Sequence, residues 1–106
     1  MDLFSALGDP TRRNIIEMLA GGGQLSANAI YKHFSSSPPA ISQHLKVLRD
    51  SELVTVEKKA QQRLYQINPE KFGELELWIK QMKKLWTDRF DRLDMLLAQE
   101  QQRTKK

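Results

Sequence analysis

Apolar residues recur at helical spacing through most of the chain, give way once to strand-like alternation, and then resume helical spacing to the end. Leu3, Phe4 and Leu7 form the first stripe and predict a short helix. Ile15, Ile16 and Leu19 form the second. Asp9 before Pro10 supplies its N-cap and first helical residue, and Gly21-Gly22-Gly23 its stop, because glycine suits left-handed C-cap geometry and a helix interior disfavours it. A third helix is predicted from Ser26, its N-cap, to about Phe34, with Ile30 and Phe34 turned inward. The Ser/Pro-rich turn at residues 35–39 opens a fourth. Ser36 or Ser37 caps it, Pro38 and Pro39 suit a first turn whose N–H groups lack partners, and Ile41, Leu45 and Leu48 share one narrow stripe. Leu53-Val54-Thr55-Val56 and Leu64-Tyr65-Gln66-Ile67 read as strands flanking a polar, mostly cationic tip at residues 57–63. The tip lacks Asn-Gly or Asp-Gly, which leaves its turn type open. Asn68-Pro69 caps a last helix that reaches Gln101.

On the fourth helix Pro39, Ser42, Gln43 and Lys46 lie opposite the buried stripe, a hydroxyl, an amide and an ammonium with no carboxylate before Asp50. Such groups donate to base edges and phosphates in a major groove. An ordinary amphipathic helix is also polar outside, so the neighbours decide. Two short helices joined by a tight turn, the second capped and polar outside, make a helix-turn-helix, and the hairpin that follows makes a wing. Lys58, Lys59 and Arg63 against the single carboxylate of Glu57 give that wing a phosphate-contacting tip. His44 sits ~60° from the buried stripe and suits a flanking hydrogen bond, such as one to phosphate. His33 reads as structural.

In the last helix Leu75, Ile79, Met82, Trp86, Leu93 and Leu96 recur in steps of three and four, with a gap at Arg89. A second row adds Phe72, Trp78, Leu85, Phe90 and Leu97. The stripe is wider than a small core can cover, and a helix of ~30 residues is ~45 Å long. A second copy of the chain is the simplest cover, with Leu3, Phe4 and Leu7 able to join the interface; folding back onto its own domain is the alternative. The apolar surroundings of Trp78, Met82 and Trp86 also suit a small-molecule pocket, though interface packing explains them more simply.

The fold class expected is mostly α with a small β-hairpin (α+β), a single domain over residues 1–106. Residues 8–68 hold the helix-turn-helix and wing, 1–7 and 69–101 the dimerisation helices, and 102–106 a basic tail. A 40% apolar and 28% charged composition describes a globular chain, and a net charge of +4 favours a polyanionic partner. No apolar run is long enough to span a bilayer and Met1-Asp2-Leu3 starts no signal peptide, so no membrane partner and a cytoplasmic location are expected. Zero cysteines exclude thiolate chemistry within these residues. No nucleophile–base pair, paired carboxylates or phosphate-cradling loop is visible, so no enzyme and no cofactor are expected.

The segments Leu7-Gly8-Asp9-Pro10-Thr11-Arg12-Arg13-Asn14-Ile15-Ile16 and Pro39-Ala40-Ile41-Ser42-Gln43-His44-Leu45-Lys46-Val47-Leu48, with Leu53-Val54 and Arg63-Leu64-Tyr65 downstream, resemble the ArsR-type winged-helix repressors. The resemblance covers roughly residues 3 to 70, and Trp86-Thr87-Asp88-Arg89-Phe90-Asp91-Arg92-Leu93-Asp94 looks like a subgroup without the usual metal sites. It implies a homodimer that binds double-stranded DNA at an inverted-repeat operator and represses transcription, often of its own operon. Ser37, Ser42, Gln43, His44 and Lys46 sit where family members contact DNA, while Pro38 departs from the polar residue often found there. Founding members sense metal through a Cys-rich helix before the recognition helix, where this chain has Leu25-Ser26-Ala27-Asn28-Ala29-Ile30. Others use Asp and His pairs on the last helix, which here has carboxylates but no His. No metal site is therefore expected. A metal-responsive repressor with an unusual site and a winged-helix module that binds protein instead of DNA are the rival readings, and the effector, small molecule or protein, is left open.

Overall fold

The computed structural model describes residues 1–104, with side chains to Gln101, so the side chains of the basic tail, and Lys105 and Lys106 altogether, lie outside the described residues. The elements run α1 (Leu3–Ala6), α2 (Pro10–Gly22), β1 (Leu25–Ser26), α3 (Ala27–His33), α4 (Pro38–Asp50), β2 (Val54–Lys59), β3 (Gln62–Ile67) and α5 (Pro69–Thr104). They form two compact units, Met1–Phe72 and the helical segment from Gly73 onward.

Each helix of the first unit starts where a side-chain oxygen can accept orphan N–H groups. Asp2 accepts from Ser5 N–H at 2.8 Å, Asp9 from Arg12 N–H at 3.0 Å, Ser26 from Ala29 N–H at 3.1 Å and Ser37 from Ala40 N–H at 3.4 Å. Of the two candidate caps for α4, Ser37 is therefore the one used, with Pro38 and Pro39 in the first turn. α2 ends later than its glycines suggest. Gly21 and Gly22 are still helical, and only Gly23, at φ +77°, leaves the helix, its N–H donating to Leu19 O at 2.8 Å.

α4 ends in a Schellman motif. Leu53 N–H donates to Leu48 O and Glu52 N–H to Arg49 O, both at 3.0 Å, with Glu52 in the left-handed region at φ +64°. Leu48 and Leu53, the pair that closes such a motif, are both fully buried. Ser51, also buried, donates its hydroxyl back to Val47 O and Leu48 O. Asn68 then ties the start of α5 to this corner, donating through Nδ2 to Glu52 O at 2.9 Å and through N–H to Leu53 O at 3.0 Å.

The sheet differs from the expected hairpin in two ways. It has three antiparallel strands in the order β1-β3-β2, because Leu25 and Ser26 pair with Tyr65 and Leu64. A two-residue strand has no periodicity to betray it. The hairpin is also longer than the alternation of its apolar residues, with Lys58 opposite Arg63 and Lys59 opposite Gln62, so the predicted tip shrinks to Ala60 and Gln61. Ala60 alone of that pair has positive φ, at +54°, as in a type II′ turn.

Ile15, Leu19, Ile30, Ile41, Leu45, Leu48, Leu53 and Val54 are fully buried, and every core residue comes from the Met1–Phe72 unit. Phe72, grouped by spacing with the outer row of the last helix, packs on this core instead. Leu3 and Leu7 lean on it as well.

Asp9 offers a direct check on the capping argument. Its carboxyl is held below the usual carboxylate range, chiefly by the Arg12 N–H it accepts, with His44 and the Arg12 charge adding to the effect. A group whose pKa is lowered by folding contributes stability above its unfolded pKa of ~3.9 and loses it as pH falls through the folded value. Asp9→Ala should therefore cost about 1 kcal/mol in a urea melt at neutral pH, and the gap to wild type should close below that range.

Candidate nucleic-acid interface

The buried stripe of α4 fixes which residues face out. With Ile41, Leu45 and Leu48 sealed in the core, Pro39, Ser42, Gln43 and Lys46 are all exposed on the opposite side. Arg49 joins them at the end of the helix. It is three residues beyond Lys46 and seven beyond Ser42, a spacing that puts all three on one face. The same spacing in the sequence would have found it. Ser37 spends its hydroxyl oxygen on the helix cap.

His44 is placed differently. It is about three-quarters buried, and its Nδ1 lies 3.2 Å from Arg12 Nη1 and 3.8 Å from Asp9 Oδ2. The sequence reading gave this ring an outward hydrogen bond; the fold gives its Nδ1 an inward one. Arg12, which that reading did not single out, is the hub. Its Nε donates to Ala6 O at 2.6 Å and its Nη2 to Ser5 O at 3.2 Å, so one guanidinium ties the end of α1 to the recognition helix. Arg13 adds a bond to Leu7 O at 2.8 Å.

On the wing, Lys58 and Arg63 stand directly opposite each other on the face that carries Val56 and Tyr65. Like charges in such a pair repel, and an anion between or beside them relieves the repulsion. Lys59 points to the other face, so the three predicted wing cations form a pair and a separate third. The wing's only carboxylate, Glu57, accepts from Gln24 Nε2 at 3.2 Å.

Among the residues assigned to a dimer contact, Leu3 and Leu7 are half-buried on their own core while Phe4 is exposed. In the second unit Leu75 and Met82 are half-buried, and Ile79, Trp86 and Leu93 are exposed. Leu77, Trp78, Leu85, Phe90, Met95, Leu96 and Leu97 are exposed too. Trp86 stacks on Phe90 with ring centroids 5.6 Å apart and has the Arg89 guanidinium 5.9 Å from its ring. Trp86, Phe90, Leu93 and Leu96, with Arg89 and Arg92, line a hollow of about 280 Å³ on this helix.

Among the described residues no three His, Cys, Asp or Glu side chains gather as metal ligands, and no helix is long and apolar enough to cross a membrane.

Comparison with known proteins agrees with this geometry. Residues 7–57 match a family described as a helix-turn-helix domain. The transcriptional repressor SdpR of Bacillus subtilis (strain 168) is 40% identical over 67 residues, 63% of this chain and 73% of that protein. An arsenical resistance operon repressor of Staphylococcus xylosus is 40% identical over 68 residues, and there the match spans 64% of each chain. Among solved structures, an ArsR family transcriptional regulator superposes with a TM-score of 0.71 at 31% identity, covering 78% of this chain and 84% of that one.

Proposed function

Because this chain belongs to the ArsR-type winged helix-turn-helix transcriptional regulators, we propose that it is a sequence-specific DNA-binding repressor that acts as a homodimer on an inverted-repeat operator. The observation that carries this reading is the outer face of α4, where Ser42, Gln43, Lys46 and Arg49 are exposed side by side with no carboxylate among them. Ser42 and Gln43 present the hydroxyl and amide that read base edges, and Lys46 a charge for phosphate. Lys58 and Arg63 flank this face from the wing and add sequence-independent affinity. A two-fold partner repeats the surface, so half-sites fall ~34–36 Å apart or at a multiple of that spacing. Thiolate sensing of a soft metal is closed to these residues, since they include no cysteine.

Selection of bound sites from a random duplex pool, followed by gel shift at physiological salt, tests the proposal. A pseudo-palindromic site that competes where random duplex does not is the expected result; a chain that binds partner protein but no duplex would support the interaction-module reading instead. On the selected site, Gln43→Ala should lose ~1–3 kcal/mol of discrimination while its binding to random duplex stays the same. Unchanged discrimination would remove Gln43 from the readout.

A further inference from the structure

Between α4 and β3 the surface sinks into a groove of about 130 Å³ lined by Ser42, Gln43, Lys46, Arg49, Arg63 and Tyr65. Every one of these side chains can donate a hydrogen bond, three are cations, and none is a carboxylate. That lining suits an anion. Its size fits a phosphodiester group with a bridging water or two, at about 30 Å³ per water.

Tyr65 points the same way by a separate route. The residue is only 6% exposed and its ring belongs to the core. A buried phenol ordinarily finds a partner for its hydroxyl. Here no hydrogen bond is made to it among the described residues, yet it is not one of the fully occluded polar atoms, of which none lacks a partner. Tyr65 is one of the residues that line the groove, so a hydroxyl neither occluded nor bonded within the described chain is available to a ligand there.

We propose that this groove is a phosphodiester clamp, in which Arg49 from the recognition helix and Arg63 from the wing bracket one backbone phosphate of each half-site and the Tyr65 hydroxyl donates to it from below. The proposal rests on the DNA-binding reading above and adds two contact residues to it, Arg49 and Tyr65. A helix seated in the major groove with a wing beside it leaves one strand of the duplex crossing their junction, which is where the groove lies. Guanidinium forks match phosphate oxygens bidentately, and a neutral donor at the base fixes the position of the anion between them.

The test measures duplex affinity of the full chain against salt concentration, on the selected site and on a scrambled duplex. Arg49→Gln should weaken both duplexes alike and reduce the slope of log K against log salt by about one. Tyr65→Phe keeps the ring in the core and removes only the oxygen; it should weaken both duplexes about two- to tenfold with the slope unchanged. A neutral methylphosphonate at one position per half-site should cost wild type more affinity than it costs Arg49→Gln, which keeps only Arg63 and Tyr65 on that phosphate. If wild type binds duplex and both variants match it in affinity and slope, the clamp is wrong while the DNA reading stands. If wild type binds no duplex, both fall. A rise in melting temperature with inorganic phosphate at constant ionic strength, in wild type but not in Arg49→Gln, combined with duplex affinity and salt slope unchanged in Arg49→Gln, would overturn the backbone assignment in favour of a free anion.

Discussion

The double substitution Trp86→Asp, Leu93→Asp should turn a dimeric particle into a monomer in sedimentation and lower affinity for the full operator by about 10²–10⁴-fold, while binding to a single half-site changes little. Both side chains lie on a helix of 36 residues whose aromatic and aliphatic groups stand in water when the chain is alone, Trp86 at 57% and Leu93 at 49% exposure. Large exposed apolar surfaces of this kind mark protein interfaces. A second helix packing along Trp86, Phe90, Leu93 and Leu96 would fill the hollow they line, knob into hole. In the proposed dimer, two carboxylates placed there would meet their symmetry mates in the seam, and burying unpaired charge is costly. The winged unit supplies every core residue of the fold, so it should keep its own structure in the variant. The tethering of two recognition helices is then the property lost. A wild-type chain that sediments as a monomer, or a variant that stays dimeric, would remove this role from α5.

Leu45→Ala should act on the other unit and by a different route, costing ~2–5 kcal/mol of unfolding free energy. Leu45 is 1% exposed, in the stripe by which the recognition helix grips the core. Shortening it leaves a cavity among residues already held by α2, α3 and the sheet, which cannot all collapse inward. For a unit of this size each kcal/mol lowers the melting temperature by roughly 4–8 °C, so a fall of roughly 8–40 °C is expected. Gln43→Ala, two residues earlier on the exposed face, should leave the melt within about 0.5 kcal/mol of wild type. The pair separates what holds α4 in place from what α4 presents.

The contrast between these neighbouring positions also marks how far the sequence could be read. The inward stripe of α4 was legible because its three members repeat every three or four residues, and the outward set followed by subtraction. The starts of α2, α3 and α4 were legible for the same local reason, whereas the Asp2 cap of α1 was not singled out. Asp9, Ser26 and Ser37 each accept a bond from an N–H three residues away, so the chemistry that begins the helix lies inside one turn of it. The family resemblance drew on those same segments. Most of the exposed apolar positions of α5 could be read from their spacing as well, although Leu75 and Met82 are half-buried and Phe72 packs on the core.

What only the tertiary structure decided depends on residues far apart in the chain. β1 exists because Leu25 finds Tyr65, forty positions on, and two residues of strand leave no pattern of their own. Arg12 and His44 meet across 32 residues, which gives the Nδ1 of a ring expected to flank DNA a place in an internal tie. Splitting the wing cations, with Lys58 beside Arg63 and Lys59 opposite, follows from the hairpin register, which a turn without Asn-Gly or Asp-Gly did not announce. The groove that joins Arg49 to Arg63 and Tyr65 arises only when the recognition helix and the wing pack side by side. Caps and periodicities are bonds within a few residues, so sequence alone determines them; registers, long-range pairs and the clefts between elements are set by the packing of the whole chain, so only the folded molecule decides them.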